Sequence, residues 1–307
     1  MKIAVFGIGG VGGFVGGALA KSHAETCFFA RGENLEAIRA KGLRVESSVL
    51  GDFVARPKRA SDRAEEFGIM DAVFVCCKGY SLKEACGAIS PVVGPETAVI
   101  PLLNGVIVSD IMEPLLPPCI LADGTIRVFS RLEKPGHIIQ SMEMCSIAFG
   151  MKDGSRPARL DELASVLNTA GIRTAVSENI LVDSWSKYAL MCGNSVMFCY
   201  YDGPAGTVRE DPHHESVLRA VTGELVAVAA AKGVTLPADT ADKAAAFFSK
   251  MEPDAMSSLY RDLSSGKPVN QTELDHIIGR MVEMGRQTGV PTPYHRIAYE
   301  RFASRQD

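Results

Sequence analysis

The chain has 307 residues, 47% of them hydrophobic and 22% charged, which excludes a disordered polymer and leaves room for two domains of ordinary size. Its net charge of −4 is spread without a basic tract, so the electrostatic footprint of nucleic-acid or anionic-membrane binding is missing. No stretch approaches the ~20 apolar residues of a membrane span, and the eight cysteines form no C-x-x-C pair; a cytoplasmic protein with reduced thiols is expected.

In chain order, Lys2 to Phe6 reads as a strand and Val11 to Ala20 as a helix rich in small residues. Thr26 to Ala30, Ala72 to Cys77 and Ala98 to Leu103 are further apolar runs, with helical spacing between them at Asn34 to Lys41 and Leu82 to Ile89. Continuous apolar strands separated by helices are what a parallel sheet covered on both faces requires. From Cys119 to Met151 the pattern changes to strands joined by turns, with Lys134-Pro135-Gly136 as a hairpin connector. A helix over Ala158 to Thr169 and a strand over Arg173 to Val176 complete this part.

Beyond about residue 178 strand signals stop. Helical spacing occupies Ile180 to Phe198, Pro212 to Lys232, Thr240 to Phe248, Asp254 to Leu263 and Thr272 to Thr288, with Gly233 as a helix stop. The sequence therefore predicts an α/β protein, with a doubly wound sheet domain over 1–178 and a smaller all-α domain over 179–307. The cleft between two such domains is where a small-molecule site is expected.

Gly7-Ile8-Gly9-Gly10-Val11-Gly12 matches G-x-G-x-x-G in the context that gives the pattern meaning, after a strand and at the start of a helix. Gly7 permits the tight turn, Gly9 lets the backbone approach a pyrophosphate, and Gly12 lets the helix close on the sheet. The pyrophosphate then rests on the free N–H groups and positive dipole of the helix start. This is a Rossmann dinucleotide-binding signature. The second strand ends in Arg31 with no acid directly after it, and a guanidinium there suits the 2′-phosphate of NADP. Glu33, two residues on, could instead serve the 2′-hydroxyl of NAD; the reading favours NADPH.

Taken together, the spacing resembles the ketopantoate reductase (2-dehydropantoate 2-reductase) family over nearly the whole chain. The resemblance rests on the glycine loop, Arg31, Lys78 closing Val73-Phe74-Val75-Cys76-Cys77, and Leu103-Asn104-Gly105. It continues in Trp185-Ser186-Lys187, Ser257-Ser258 with Asp262, Glu273-Leu274-Asp275 and Gly289-Val290-Pro291-Thr292-Pro293. It implies that Arg31 and Lys78 contact the cofactor and that Asn104 lies beside its nicotinamide end. It further implies Lys187 as general acid, Glu273 assisting it, and Ser258 holding the substrate carboxylate. The chain departs from the family after the lysine, where asparagines are common and Met191 and Ser195 stand here, and in a segment between Ser258 and Glu273 that is about three residues longer. Both departures touch substrate identity.

Reduction of a 2-keto acid requires a hydride at the carbonyl carbon and a proton at its oxygen. Lys187 suits the second task because its helix is otherwise apolar, although a solvated lysine with a snorkelling stem would give the same pattern. Met191, Asn194 and Phe198 fall within about 40° of it around the helix, and Asn194 is expected to make the polar contact that Met191 cannot; Ser195 completes the substrate-side set. Glu273 also has a capping reading, with Asn270 or Thr272 as N-cap and Glu273 or Asp275 at the third helical position. Ser257 and Ser258 could equally cap a helix, and Asn104-Gly105 could be a plain turn.

The six histidines show no metal-ligand spacing, and neither a G-x-S-x-G nor a Walker motif is present. The expected activity is NADPH-dependent reduction of a 2-keto acid, foremost 2-dehydropantoate to (R)-pantoate in pantothenate synthesis. The alternatives are the same architecture acting on another 2-keto acid, or a non-catalytic NADP(H) sensor. Apolar residues of the helical part suffice either for its core or for a homodimer interface.

Overall fold

The computed structural model describes residues 1–304. The chain separates into two compact units, one of Met1–Leu103 with Ile107–Ile180, the other of Asn104–Val106 with the residues from Leu181 onward.

The first unit runs β1 (Ile3–Phe6), α1 (Gly10–Ser22), β2 (Thr26–Phe29), α2 (Gly32–Lys41), β3 (Leu43–Ser47), β4 (Phe53–Ala55), β5 (Arg59–Ser61), β6 (Ala72–Val75) and α3 (Leu82–Ile89). It continues with β7 (Ala98–Pro101), α4 (Val108–Met112), β8 (Ile120–Leu121), β9 (Asp123–Lys134), β10 (His137–Gly150), α5 (Ala158–Thr169) and β11 (Arg173–Val176). Six strands form one parallel sheet in the order β5-β2-β1-β6-β7-β8, with β1 central. Residues 3–6 pair with 26–29 on one side and 72–75 on the other, so Gly7, Ala30 and Cys76 all emerge at the carboxyl edge.

Period-two alternation sorts the buried strand residues onto two faces. Val5, Phe28, Phe74 and Ile100 join one hydrophobic cluster with α1, α2 and α5. Phe6, Phe29, Val73 and Val99 join a second with Leu82, Cys86 and Ile89 of α3. Complete burial of Phe28 and Phe74 contributes about 1.5–3 kcal/mol each relative to exposure.

The sheet is not faced by helices alone. A second sheet, ordered β11-β10-β3-β4 with β9 on the other side of β10, lies against α1. Its β9–β10 hairpin turns at Gly136, whose φ is +75°, where the sequence placed a connector. Strands β3, β4 and β5 were not anticipated; they are short, and only pairing across the fold makes them strands. The small residues of α1 follow from its position between the two sheets. A Cβ on Gly16 would meet the Phe28 ring at 2.9 Å, and one on Gly13 or Gly17 would meet Ile138 at 2.4 Å or Val45 at 2.8 Å. Larger residues would force the sheets apart.

The second unit is helical among the described residues: α6 (Ile180–Tyr201, from the boundary residue), α7 (Ala205–Glu210), α8 (His214–Ala231), α9 (Thr240–Ser249), α10 (Ser258–Ser264), a π turn over Asp275–Gly279, α11 (Arg280–Thr288) and α12 (Pro293–Ala303). Gly233 ends α8 with φ +79°. The helix expected from Asp254 starts only at Ser258. The carbonyls of Pro253 and Ala255 are taken by the amides of Gly206 and Ala205 at the start of α7, and Ser257 caps α10 by accepting from the Tyr260 amide. Helices α7 and α12 were not foreseen. The second is nucleated by Pro293 in its first turn and by Glu224, which accepts from the amides of Tyr294 and His295. No helix among the described residues is long and apolar enough to cross a membrane.

Candidate active site

The glycine turn lies where β1 leaves the centre of the parallel sheet. Gly7 has φ +91°, and a Cβ there would lie 2.9 Å from the carbonyl of Cys76, just past β6. A Cβ on Gly12 would stand 2.1 Å from the Gly7 carbonyl oxygen, and one on Gly10 would stand 2.4 Å from that of Ser130 in β9. These three glycines are therefore demanded by the protein itself. Gly9 is different: a Cβ there would meet nothing within 4 Å. Gly9 is the N-cap of α1, no side chain caps that helix, and its first turn carries no acid. Unsatisfied N–H groups and a positive dipole end thus stand behind an open approach, the arrangement that receives a diphosphate. Ile8 is buried and Val11 half-buried beside it.

Asn34 braces this turn, although in the sequence it reads only as the start of a helix. Its Nδ2 donates to the Ile8 carbonyl at 2.8 Å and its Oδ1 accepts from the Gly136 amide at 2.8 Å, tying the turn to the hairpin 102 residues away. Asn34 borders a cavity of about 230 Å³ with Gly7, Ile8, Phe29, Arg31, Cys77, Ser81 and Glu84. Arg31 is the N-cap of α2. Its guanidinium lies 5.1 Å from the Phe29 ring centroid and pairs with the Glu84 carboxylate. A flat cation over an aromatic face, at the end of the second strand and on the wall of an open cavity, suits a phosphate group. Lys78 is exposed just past β6, at the same sheet edge. Burial pushes the Cys76 thiol far above its ordinary range, with the neighbouring Cys77 adding to the rise, so Cys76 packs as an apolar group.

In the helical unit, Lys187 is half-buried on α6 between buried Trp185 and Tyr188. Its Nζ donates to Asn104 Oδ1 at 3.3 Å. The structure thus brings together two predicted residues that lie 83 positions apart. Asn104 is not a left-handed turn residue; that conformation falls to Gly105, at φ +117°, and to Ile107, at φ +53°. A β-branched residue in that region is strained.

Glu273 is buried, 3% exposed. Of the two N-cap candidates Thr272 is the one that caps, its Oγ1 accepting from the Leu274 amide at 3.3 Å, and the helical conformation begins at Leu274. Glu273 heads the π turn, its carbonyl accepting from the Ile277 amide. The Ile277 carbonyl accepts from Tyr188 Oη at 2.6 Å and from Cys192 Sγ at 3.6 Å. Residues one and five positions after Lys187 therefore fasten its helix to the turn after Glu273. Nothing in the local pattern signalled this, since both donors read as ordinary apolar-face residues. Burial holds the Tyr188 hydroxyl well above its usual range and pushes the Cys192 thiol up to about 12.

Asn194 is 5% exposed and its Oδ1 is buried without a hydrogen-bond partner, an orphan acceptor of the kind that calls for an explanation. Ser195 is buried and donates to the Met191 carbonyl at 3.0 Å, which commits its proton to the helix backbone. Ser258 is exposed at the first position of α10, and Ser257 is the residue that caps.

A family model described as "Ketopantoate reductase PanE/ApbA" matches residues 3–154, and its partner, "Ketopantoate reductase PanE/ApbA C terminal", matches 179–306. Among curated proteins, the chain is 27% identical over 316 residues to the 2-dehydropantoate 2-reductase of Mesorhizobium japonicum, covering 95% of this chain and 94% of that one. It is also 27% identical over 301 residues to the uncharacterized oxidoreductase YkpB of Bacillus subtilis, covering 97% of each. Among solved structures it resembles a PanE/ApbA family ketopantoate reductase from Ralstonia eutropha, with TM-score 0.89, 29% identity and coverage of 100% and 99%. D-mandelate dehydrogenase with NADH and anilino(oxo)acetate shares the fold at TM-score 0.87 and 22% identity, with the same coverage.

Proposed function

The chain belongs to the ketopantoate reductase family and is an oxidoreductase, and from that premise we propose that it reduces a 2-keto acid with NADPH, the first candidate being 2-dehydropantoate. The observation that carries the reading is the Lys187–Asn104 contact, in which a half-buried cation on α6 is held by an acceptor from the segment after β7. The glycine turn supports the cofactor half: it offers free amides, no capping side chain and no obstruction at Gly9, and Arg31 stands ready for the 2′-phosphate.

When bound, the dihydronicotinamide supplies a hydride to the carbonyl carbon. Lys187 stabilises the negative charge growing on the carbonyl oxygen and delivers a proton from Nζ, giving the 2-hydroxy acid. Asn104 engages one N–H of the ammonium and so orients the others. Buried Glu273 assists the lysine, and Tyr188 and Cys192 hold their two segments together. Ser258 donates its hydroxyl to the substrate carboxylate.

One observation favours a related 2-keto acid. Met191 presents a thioether where an amide is common in the family, while the neighbouring Asn194 keeps an orphan acceptor, which suits a substrate with a differently placed donor. A panel of 2-keto acids assayed with NADPH and NADH side by side tests the proposal. The expected result is the fastest loss of NADPH absorbance with ketopantoate. A faster branched or longer acid shifts the substrate, and no loss with any acid leaves only a cofactor-binding protein.

A further inference from the structure

We propose that Glu84 sets how strongly this chain discriminates between NADPH and NADH, by occupying the guanidinium that would receive the 2′-phosphate. The inference rests on the dinucleotide reading above and adds a residue to it. Glu84 is the third residue of α3, where a capping glutamate would turn back to the N-cap amide. It reaches across to Arg31 instead, and both side chains border the same cavity as Gly7 and Ile8. This acid comes from the helix after β6, so inspection of the second strand's end could not find it.

The pair is open to solvent, with 54% of the Arg31 side chain and 63% of the Glu84 side chain exposed. Exposed pairs of this kind are weak, so a phosphate can displace the carboxylate. The displaced carboxylate then shares the cavity wall with a phosphate of the same sign, which opposes binding. A ribose 2′-hydroxyl meets the opposite situation, because it can donate to Glu84 without disturbing Arg31. The same two residues thus favour the unphosphorylated dinucleotide through Glu84 and the phosphorylated one through Arg31, and Glu84 narrows the gap between them.

Fluorescence titration of NADPH and of NADH into the purified wild type and Glu84→Gln, in one low-salt buffer, tests this without turnover. Glutamine keeps the side-chain size and removes the charge at an exposed position, so the fold is retained. The expected result is about tenfold tighter NADPH binding in Glu84→Gln, equivalent to ~1.4 kcal/mol, with NADH unchanged or weaker, and a reversed preference in Arg31→Ala. If both nucleotides bind the wild type and Glu84→Gln changes the NADPH-to-NADH ratio by less than about threefold, Glu84 has no such role while the dinucleotide reading stands. If neither nucleotide binds the wild type, the reading itself falls and this inference with it.

Discussion

Replacing Gly9 and Gly12 one at a time by alanine separates the two demands on the glycine turn. At Gly12 the new methyl would lie 2.1 Å from the Gly7 carbonyl oxygen and 2.8 Å from Cys76 Cβ. The first of these is backbone at the centre of the sheet and cannot rotate away. Overpacking of this sort costs about 2–3 kcal/mol, which for a unit of this size lowers Tm by roughly 4–12 °C. At Gly9 nothing lies within 4 Å and φ is −93°, so alanine fits the free protein. It even gains about 0.4–1 kcal/mol by restricting the unfolded chain. The same methyl would project into the space through which a pyrophosphate approaches α1, and NADPH affinity should fall at least tenfold, or ~1.4 kcal/mol. Thermal melting monitored by circular dichroism and NADPH titration by fluorescence read the two effects separately. Gly9→Ala binding NADPH as tightly as the wild type would show that no pyrophosphate sits at this turn. An undiminished Tm in Gly12→Ala would refute the packing argument.

Lys187→Ala should retain NADPH binding and lose about 10²–10⁴-fold in kcat; steady-state kinetics with unchanged kcat would remove Lys187 from the chemistry. Tyr188→Phe takes one of two side-chain donors from the buried Ile277 carbonyl and leaves Cys192 in place, so it should destabilise by about 0.5–1.5 kcal/mol. Its kcat should fall more than its KM changes, and an unaltered kcat would deny the fastening of Lys187 to the Glu273 segment. Asn34→Ala removes both braces of the glycine turn and should weaken NADPH before it affects keto acid binding, as paired titrations would show. His295 is fully buried, its Nδ1 bonded to Glu224 at 2.6 Å and its Nε2 without a partner. Desolvation, opposed by Glu224, holds its pKa below the ordinary 6.5. The unfolded chain therefore binds the proton first, so stability present above pH ~6.5 is lost as pH falls toward the folded value. Melting curves from pH 7 to 5 should show the decline, and a His295 ring that titrates above 6.5 by NMR would reverse the sign.

What the sequence could determine was whatever depends on neighbours along the chain. The strand, glycine turn and helix from Ile3 to Ser22, the hairpin at Gly136 and the stop at Gly233 are each written in a short run of residues, because φ limits and apolar periodicity act locally. The residue types of the candidate site were legible for the same reason. Tertiary structure alone decided which of them meet. Lys187 joins Asn104 across 83 positions, Arg31 finds Glu84 across 53, and Tyr188 reaches Ile277 across 89. It also decided that α1 would lie between two sheets, which explains glycines that the dinucleotide motif leaves unexplained. Such contacts are set by the packing of whole elements, and no local preference of a single residue encodes which distant carbonyl or carboxylate will come to face it.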